Sequence, residues 1–389
     1  MSIRIVVCVA LAAIGCFSSA TEFLRLNGAR LQAQTTTQAA EVPAAETRLE
    51  QPEASDRPAQ AAQPATTPAA EASVATTVPP RPAVDRTKLA ATRPADVDGD
   101  FAWQGEYQGT VLDADGIYRQ IGLQVVALGD GQFAGVRYHG GLPGTGWNRR
   151  DKQKLTGHRE RSSLLLTGES RAVEVAPGRA VDYGADGVLR GSLPKVARYS
   201  PTLGQCPPAH AQVLFDGRHT ACFKNGRIND EGLLEIGTEL VRAYRDFTMH
   251  VEFRLPYMPY ARDQGRANSG IYLQSRYEVQ VLDSFGLDGA FNECGSLYRM
   301  RSPDVNMCLP PLAWQTYDIT FRSPRFDRVG NKQRNAQLTV HHNGVLVQNH
   351  VEVENKTGAG KPESPELLPI KFQDHGNPVN FRNIWIIEL

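Results

Sequence analysis

The sequence predicts an all-β protein, and three observations support this prediction. Residues 247–255, FTMHVEFRL, alternate apolar and polar side chains, which is the period of a strand with one buried face. AQLTVHHNGVLVQNHVEV contains Asn343-Gly344, the two-residue turn typical of a tight hairpin. The apolar spacing of long helices is absent throughout. Repeated alternation of this kind predicts a two-sheet β-sandwich of jelly-roll type over residues 211–389.

The first twenty residues have the pattern of a secretory signal. Arg4 precedes an apolar run that ends at Ile14, and small residues follow up to Ala20. The run is shorter than the roughly 20 residues of a spanning helix. We therefore expect residues 1–20 to be a signal peptide of a protein exported to the periplasm, the cell envelope or the medium. The less favoured alternative is a lipoprotein signal with the lipid on Cys16.

Residues 21–99 are rich in Ala, Pro, Thr, Gln and Glu, and they contain no aromatic residue after Phe23. Such a composition buries too little apolar surface to offset the loss of chain entropy on folding. We expect a disordered tether that, alone or with a lipid anchor, associates the folded part with the cell envelope.

Residues 100–200 predict a small antiparallel β domain. Short alternating runs, such as RQIGLQVVAL and GQFAGVRYH, are separated by the turn signals DADG and GDGQ. No motif in this segment points to a particular chemistry, so its role stays open. The proline-rich YSPTLGQCPPAH then marks the boundary with the sandwich.

Charge and cysteine content narrow the classes of partner. The 42 basic and 42 acidic residues leave no net charge, so nucleic acid is not an expected partner. Four cysteines remain after the signal, and an even number in an exported chain favours disulfides. We expect the local pairs 206–222 and 294–308, with buried free thiols as the alternative. The cysteines concerned are Cys206, Cys222, Cys294 and Cys308.

The stretch NSGIYLQSRYEVQVLD predicts a hairpin of strands 270–274 and 278–283. A three-residue loop, 275–277, pairs Leu273 with Val279 and so puts the aliphatic residues on one face. The other face then carries Tyr272, Gln274, Glu278 and Gln280. His341 and His342, beside the later Asn-Gly turn, are expected to be exposed.

Asp283 joins this polar face only if a β-bulge inserts one extra residue near Val281-Leu282. The spacing E-x-Q-x-x-D of Glu278, Gln280 and Asp283 is that of the E-x-D-x-x-E pattern of β-jelly-roll glucanases, in which two carboxylates flank a glycosidic bond. The alternative is an ordinary solvated strand face.

Five stretches resemble the 3-keto-disaccharide hydrolase family over about residues 212–389. They are RANSGIYLQSRYEVQVLDSFGLDG, NECGSLYRMRSP, WQTYDITFRSPRFD, HHNGVLVQNHVEV and PIKFQDHGNPVNFRNIWI. The resemblance implies a concanavalin-like jelly roll that acts on sugars already oxidised at C3. Two positions depart from the family pattern, since Ala267 replaces a usual Gly and Cys308 replaces a small polar residue.

The resemblance also implies site residues. A ketone at C3 acidifies the C2 hydrogen, so a base can remove it, the C1–O bond can break by elimination, and water can add. Glu278 is the first candidate for the base, Asp283 for a second carboxylate or ligand anchor, and His375 for an acid/base or ketone-polarising donor. The expected substrate contacts are Glu252, Asn268, Tyr272, Gln280, Tyr298, Gln373 and Asp374. A divalent metal ion that polarises the ketone is a further candidate, although no tight ligand spacing is present.

The sequence therefore predicts an exported enzyme that cleaves 3-keto-glycosides by C2 proton abstraction, elimination and hydration. Two alternatives stay open. One is a conventional glycoside hydrolase that uses Glu278 and Asp283 as its carboxylate pair. The other is a non-catalytic carbohydrate-binding envelope protein, because the jelly-roll fold also serves binding proteins.

Overall fold

The structure, a computed structural model, describes residues 84–389 and is all-β, which confirms the predicted fold class. The helices of this region are three single 3-10 turns, at Arg86–Lys88, Pro94–Asp96 and Asp263–Gly265. None of the helices described is long and apolar enough to cross a membrane. The predicted signal peptide, Cys16 and the tether as far as residue 83 lie outside the described residues.

The last part of the predicted tether, residues 84–99, is structured rather than disordered. Backbone hydrogen bonds join Ala91 and Tyr257 in both directions, at 2.9 and 2.8 Å. The Tyr257 hydroxyl donates to Asp98 at 2.8 Å, and Arg86 forms an ion pair with Asp130 at 2.6 Å. These contacts with later parts of the chain hold residues 84–99 in place, although the composition of the segment alone predicts disorder.

The N-terminal domain is a closed antiparallel barrel of eight strands, in which each strand pairs with the next and the last pairs with the first. Its inward side chains, such as Phe133, Leu164 and Val175, are buried in one apolar cluster. The strands are β1 (Gly105–Leu112), β2 (Tyr118–Ala127), β3 (Gln132–His139), β4 (Lys152–Glu160), β5 (Ser163–Thr167), β6 (Arg171–Ala176), β7 (Arg179–Gly184) and β8 (Leu189–Val196).

The C-terminal domain is a sandwich of a five-stranded and a seven-stranded sheet, with a small two-stranded sheet of β17 and β18. The five-stranded sheet has the order β10-β12-β21-β14-β15, and the seven-stranded sheet has the order β11-β22-β13-β16-β19-β20 with β9 on β22. The strands are β9 (Gln212–Phe215), β10 (Phe223–Lys224), β11 (Leu234–Glu235), β12 (Thr238–Ala243), β13 (Phe247–Arg254), β14 (Ser269–Leu273), β15 (Tyr277–Val281), β16 (Trp314–Arg322), β17 (Arg325–Phe326), β18 (Lys332–Arg334), β19 (Ala336–His342), β20 (Val345–Val353), β21 (Pro369–Phe372) and β22 (Asn380–Glu388).

The core of the sandwich lies between the inner faces of the two sheets. Met249 and Val251 of β13 and Ile271 and Val279 of the opposite sheet are all fully buried in one cluster. The alternation read from the sequence therefore specifies which face of each strand packs inward. The outer face of the five-stranded sheet receives the polar side chains of β14 and β15.

The Asn343-Gly344 turn between β19 and β20 is confirmed. Both residues have positive φ, 51° and 76°, and His342 pairs with Val345 across a two-residue loop. The expectation that His342 is exposed is wrong. Its ring is fully buried, with Nε2 3.0 Å from the Gln315 side-chain oxygen, and burial lowers the pKa of His342 to about 3.

Candidate active site

The β14–β15 hairpin presents the polar face predicted from the sequence, but with a different register. Tyr272 pairs with Glu278, and the three-residue loop is 274–276 rather than 275–277. Gln274 and Ser275 adopt positive φ, 49° and 53°. The pairing differs from the predicted one by two positions, so the side chains that lie within the two strands keep their predicted faces. Gln274, which lies in the loop, does not, because its amide donates to the Tyr244 carbonyl at 3.0 Å, away from this face.

Glu278 is a buried acid on this face, with 2% of its surface exposed. Its backbone N–H donates to the Thr357 hydroxyl at 2.8 Å, and its carbonyl accepts from Tyr298 N–H at 3.1 Å. These two bonds fix the main chain of Glu278 at the edge formed by β15, the last strand of the five-stranded sheet. In contrast, Glu278 Oε2 is buried and has no hydrogen-bond partner among the described residues.

The environment of Glu278 keeps its carboxyl close to half ionised at neutral pH. Burial raises the pKa of Glu278 from 4.5 to about 7, although a hydrogen-bonding interaction with the Tyr272 hydroxyl and the positive charge of Lys371 lower it. The same burial, with the nearby Glu278 charge, raises the pKa of Tyr272, which therefore stays a neutral hydrogen-bond donor. A carboxyl with this pKa suits the transfer of a proton near pH 7.

Two amide oxygens beside Glu278 also lack partners. Gln280 Oε1 and Gln373 Oε1 are buried without a hydrogen bond from the residues that the structure describes. The amide nitrogen of Gln280 donates to Gln264 Oε1 at 3.0 Å, and Gln373 N–H donates to the Gly270 carbonyl at 2.9 Å. Buried polar atoms are nearly always paired, so three unpaired acceptors in one place indicate a binding site for hydrogen-bond donors.

Comparison with known families matches residues 210–387 to the family described as the 3-keto-alpha-glucoside-1,2-lyase-like domain. The sandwich domain belongs to this family. The family resemblance read from the sequence is thereby confirmed for this part of the chain, and the match does not extend to the barrel.

Three solved structures from Parabacteroides distasonis ATCC 8503 are similar to this lyase-like domain, and each is described as a candidate glycosyl hydrolase. They are 31%, 18% and 21% identical to this chain, with TM-scores of 0.41, 0.34 and 0.32. Each match covers 46% of this chain and, in the same order, 84%, 94% and 99% of the other chain. A comparison with curated proteins finds no match.

Lys371 is a site residue that the sequence reading missed. It pairs with Tyr272 across β21 and β14, and its ammonium lies 5.8 Å from the centre of the Tyr272 ring. The alternation of PIKF gives no sign of this role, because β21 and β14 are almost a hundred residues apart in sequence. Only the sheet order brings the cation to the Glu278 face.

Asn268 and Tyr298 also lie at this face. Asn268 accepts a long 3.4 Å hydrogen bond from Gln280 and donates to the Gln264 carbonyl at 2.8 Å. Tyr298 is half-buried, and a Cβ on Gly358 would lie 2.7 Å from its ring and 3.8 Å from Glu278 Oε2. Tyr298 therefore forms one wall of the space around the carboxyl, whereas Asn268 supports the side chain of Gln280.

Asp283 is not brought together with Glu278. β15 ends at Val281 without the expected bulge, and the Asp283 carboxylate forms a buried ion pair with Arg266 at 2.6 Å. It also accepts the Phe285 N–H at 3.2 Å. None of these partners is a partner of Glu278, so the hypothesis of a paired-carboxylate site loses its second member.

Glu252 lies on the seven-stranded sheet, whereas Glu278 lies on the five-stranded one. Burial opposes its ionisation, but hydrogen bonds from His250, Asn383 and Arg382 outweigh this and lower the pKa of Glu252 to about 2. The carboxylate also accepts the Gly204 N–H, which holds the interdomain segment against the sheet. Glu252 therefore does not lie beside Glu278, and its hydrogen bonds join other parts of the chain.

Asp374 and His375 lie on the exposed loop that follows β21. Asp374 Oδ1 accepts the Gly376 N–H at 2.8 Å and so shapes the loop. No hydrogen bond or ion pair within residues 84–389 joins His375 to Glu278. No group of three or more His, Cys, Asp and Glu side chains in this range is placed to hold a metal ion.

The predicted disulfides are absent, because all four described cysteines are free thiols. Cys206 is exposed and Cys222 is half-buried. The Cys294 sulfur lies 3.1 Å from the Tyr317 hydroxyl, and the Cys308 sulfur donates to the Leu282 carbonyl at 3.5 Å. Hydrogen bonds inside the core therefore accommodate the latter two as thiols, which was the alternative left open by the sequence.

Proposed function

We propose that the sandwich domain cleaves 3-keto-glycosides by elimination, with Glu278 as the base that removes the C2 proton. The single observation that carries the proposal is the state of Glu278, a buried carboxyl with one unpaired oxygen and a pKa raised to about 7. The domain's family supports a carbohydrate-acting hydrolase or lyase. The choice of 3-keto substrates follows the description of this family, and the lone base fits the elimination chemistry of such substrates.

The first step is proton abstraction. Glu278 takes the hydrogen from C2, and the C2–H electron pair forms the enolate of the C3 ketone. The ammonium of Lys371, on the strand beside Tyr272, is the cationic group available to favour the negative enolate oxygen. A buried base is strengthened by low polarity, because little water competes for the proton.

The second step breaks the C1–O bond. The enolate electron pair forms the C1–C2 double bond, and the leaving oxygen departs with a proton. The neutral Tyr272 hydroxyl and protonated Glu278 can each donate this proton. Addition of water to the unsaturated sugar at C1 then gives the free 3-keto sugar, so the same site supports a lyase or a hydrolase outcome.

The amide oxygens of Gln280 and Gln373 are suited to binding the substrate and take no part in the proton transfer. Sugar hydroxyls donate hydrogen bonds, and these two buried acceptors lack donors. They would orient the ring so that its C2 hydrogen faces Glu278. Orientation of this kind contributes strongly to rate, since a reacting atom misplaced by about 1 Å can lose roughly a hundredfold.

The conventional glycosidase hypothesis fits the geometry less well. It requires two carboxylates across one glycosidic bond, about 5 to 9.5 Å apart. Asp283, the proposed second carboxylate, is instead neutralised by Arg266 in a buried ion pair. Elimination needs only one base, which is what this face provides.

The test is to offer purified protein a 3-keto-glucoside and its parent glucoside, and to measure the released aglycone. We expect cleavage of the keto form alone, and loss of that cleavage in Glu278→Gln. Cleavage of the parent glucoside favours a conventional glycosidase. Binding of either sugar without cleavage indicates a carbohydrate-binding protein and contradicts the proposal.

A further inference from the structure

The Glu278 side chain lies directly over a glycine of the neighbouring strand. A Cβ built on Gly270 would be 2.2 Å from Glu278 Oε1, 2.9 Å from its carboxyl carbon and 3.0 Å from Cγ. These distances are far inside van der Waals contact. The carboxyl therefore occupies the space in which any other residue at position 270 would place its side chain.

Gly270 is not required by its backbone conformation. Its φ is not positive, and it lies within β14, which pairs with a strand on each side. An extended backbone of this kind accepts alanine without strain. A glycine within a strand also weakens it by roughly 0.5–1 kcal/mol relative to alanine. The reason for a glycine here is the close approach of Glu278.

The position of Gly270 in the sheet determines where the Glu278 carboxyl lies. Gly270 pairs with Gln280 of β15 on one side, and its carbonyl accepts the Gln373 N–H at the end of β21 on the other. Glu278 pairs with Tyr272, two residues along β14, so its side chain crosses diagonally to reach Gly270. The carboxyl thus lies over the strand that separates the two glutamines with unpaired oxygens.

We propose that Gly270 is a positioning residue: its missing side chain holds the Glu278 carboxyl at the centre of the site, between the Gln280 and Gln373 amides. The inference rests on the proposed role of Glu278 as base and goes beyond it, since it names the feature that places the base. Gly270 touches no substrate in this account and acts only through Glu278.

The decisive variant is Gly270→Ala. The added methyl must push the carboxyl oxygen by about 1 Å to reach an ordinary contact, and a shift of this size can lower the rate roughly a hundredfold. We expect the full-length variant to fold, with kcat for a 3-keto-glucoside about a hundredfold lower. Its pH–rate profile should rise at lower pH than that of the wild type, because the displaced carboxyl moves toward water.

Gly135→Ala is the matched control. Gly135 is also a buried strand glycine without positive φ, and a Cβ there would meet the Leu166 side chain at 2.9 Å. It lies in the barrel, outside the site. This variant should lose stability through the close contact with Leu166, while its kcat and pH–rate profile stay at the wild-type values.

A second readout does not depend on activity. The pH dependence of urea unfolding reports the ionisation of Glu278, since a carboxyl that is harder to ionise when folded makes stability fall as pH rises through neutrality. In Gly270→Ala this fall should be smaller and should end at lower pH, because the pKa of the folded state is lower and that of the unfolded chain is unchanged.

Several outcomes would overturn the positioning role. Wild-type kcat and an unchanged pH–rate profile in Gly270→Ala would do so, and so would an unchanged pH dependence of unfolding. A variant that fails to fold contradicts it too, because the methyl would then displace backbone rather than the Glu278 side chain. Full activity in Glu278→Gln is a different result, since it rejects Glu278 as the base and leaves the unfolding measurement to decide the role of Gly270.

Discussion

Replacing Glu278 by glutamine should stabilise the protein at alkaline pH while it removes the proposed activity. Glutamine has nearly the same shape and keeps a polar group for Tyr272, but it cannot ionise. The wild-type carboxyl has a pKa raised from 4.5 to about 7 by burial. Above neutral pH the folded protein must therefore hold a buried carboxylate that the unfolded chain exposes to water.

The size and sign of the effect follow from proton linkage. The folded state binds the Glu278 proton more tightly than the unfolded chain, so this contribution to stability is fully present below pH 4.5 and is lost as pH rises through about 7. Each pKa unit is worth about 1.4 kcal/mol, so the loss amounts to about 3 kcal/mol above pH 8. Glu278→Gln should avoid this loss.

The assay is urea unfolding followed by tryptophan fluorescence between pH 5 and pH 9, on the wild type and Glu278→Gln. The variant should be more stable by about 3 kcal/mol at pH 9, and the advantage should shrink toward pH 5. Glu366→Gln, at an exposed glutamate of the same domain, is the control and should show no such trend. An equal difference at both pH values, or a variant less stable at pH 9, would refute the reasoning about Glu278.

Three further predictions concern other parts of the site and the core. Lys371→Met should lower kcat/KM and move the rise of the pH–rate profile to higher pH, because the ammonium favours ionised Glu278, whereas Lys371→Arg should keep the wild-type profile; an unmoved profile in Lys371→Met contradicts this. Asp283→Asn should cost about 3 kcal/mol in urea unfolding, since it leaves Arg266 buried without its partner, yet keep kcat per folded molecule; a loss of kcat would restore the paired-carboxylate hypothesis. Alkylation of native protein, followed by peptide mass spectrometry, should modify Cys206 and spare the buried thiols until urea is added, and a disulfide in the map would contradict the assignment of Cys294 and Cys308 as free thiols.

The fold class was predictable because strand alternation is a local property. Met249 and Val251 face the core for the same reason that their sequence neighbours are polar, and Asn343-Gly344 forms the predicted turn because both residues accept positive φ. The sequence also predicts the length of the β14–β15 loop correctly. Its register is not predicted, since Gln274 and Ser275 adopt positive φ without being glycine.

The site was predictable only in part, because its members come from strands distant in sequence. Glu278 and Tyr272 follow from one hairpin, whose faces the alternation fixes. Lys371 is added by β21, which pairs with β14 in a way that no local pattern specifies. Asp283 is removed from the site because Arg266, on a preceding loop, neutralises it.

Buried polar contacts were the least predictable part of the molecule. His342 is buried beside a turn in which sequence reasoning expects exposure, because Gln315 from β16 supplies its hydrogen bond. The thiols of Cys294 and Cys308 likewise find partners in Tyr317 and a backbone carbonyl. Such pairs depend on the assembled sandwich, so composition and spacing alone do not specify them.

The most direct test of the central claim is to follow the C2 hydrogen itself. A 3-keto-glucoside deuterated at C2 should be cleaved more slowly than the protonated substrate by the wild-type protein, and the deuterium should appear in solvent water. Glu278→Gln should show neither cleavage nor exchange. Cleavage at the same rate for both substrates, with deuterium retained at C2 in the product, would contradict proton abstraction by Glu278.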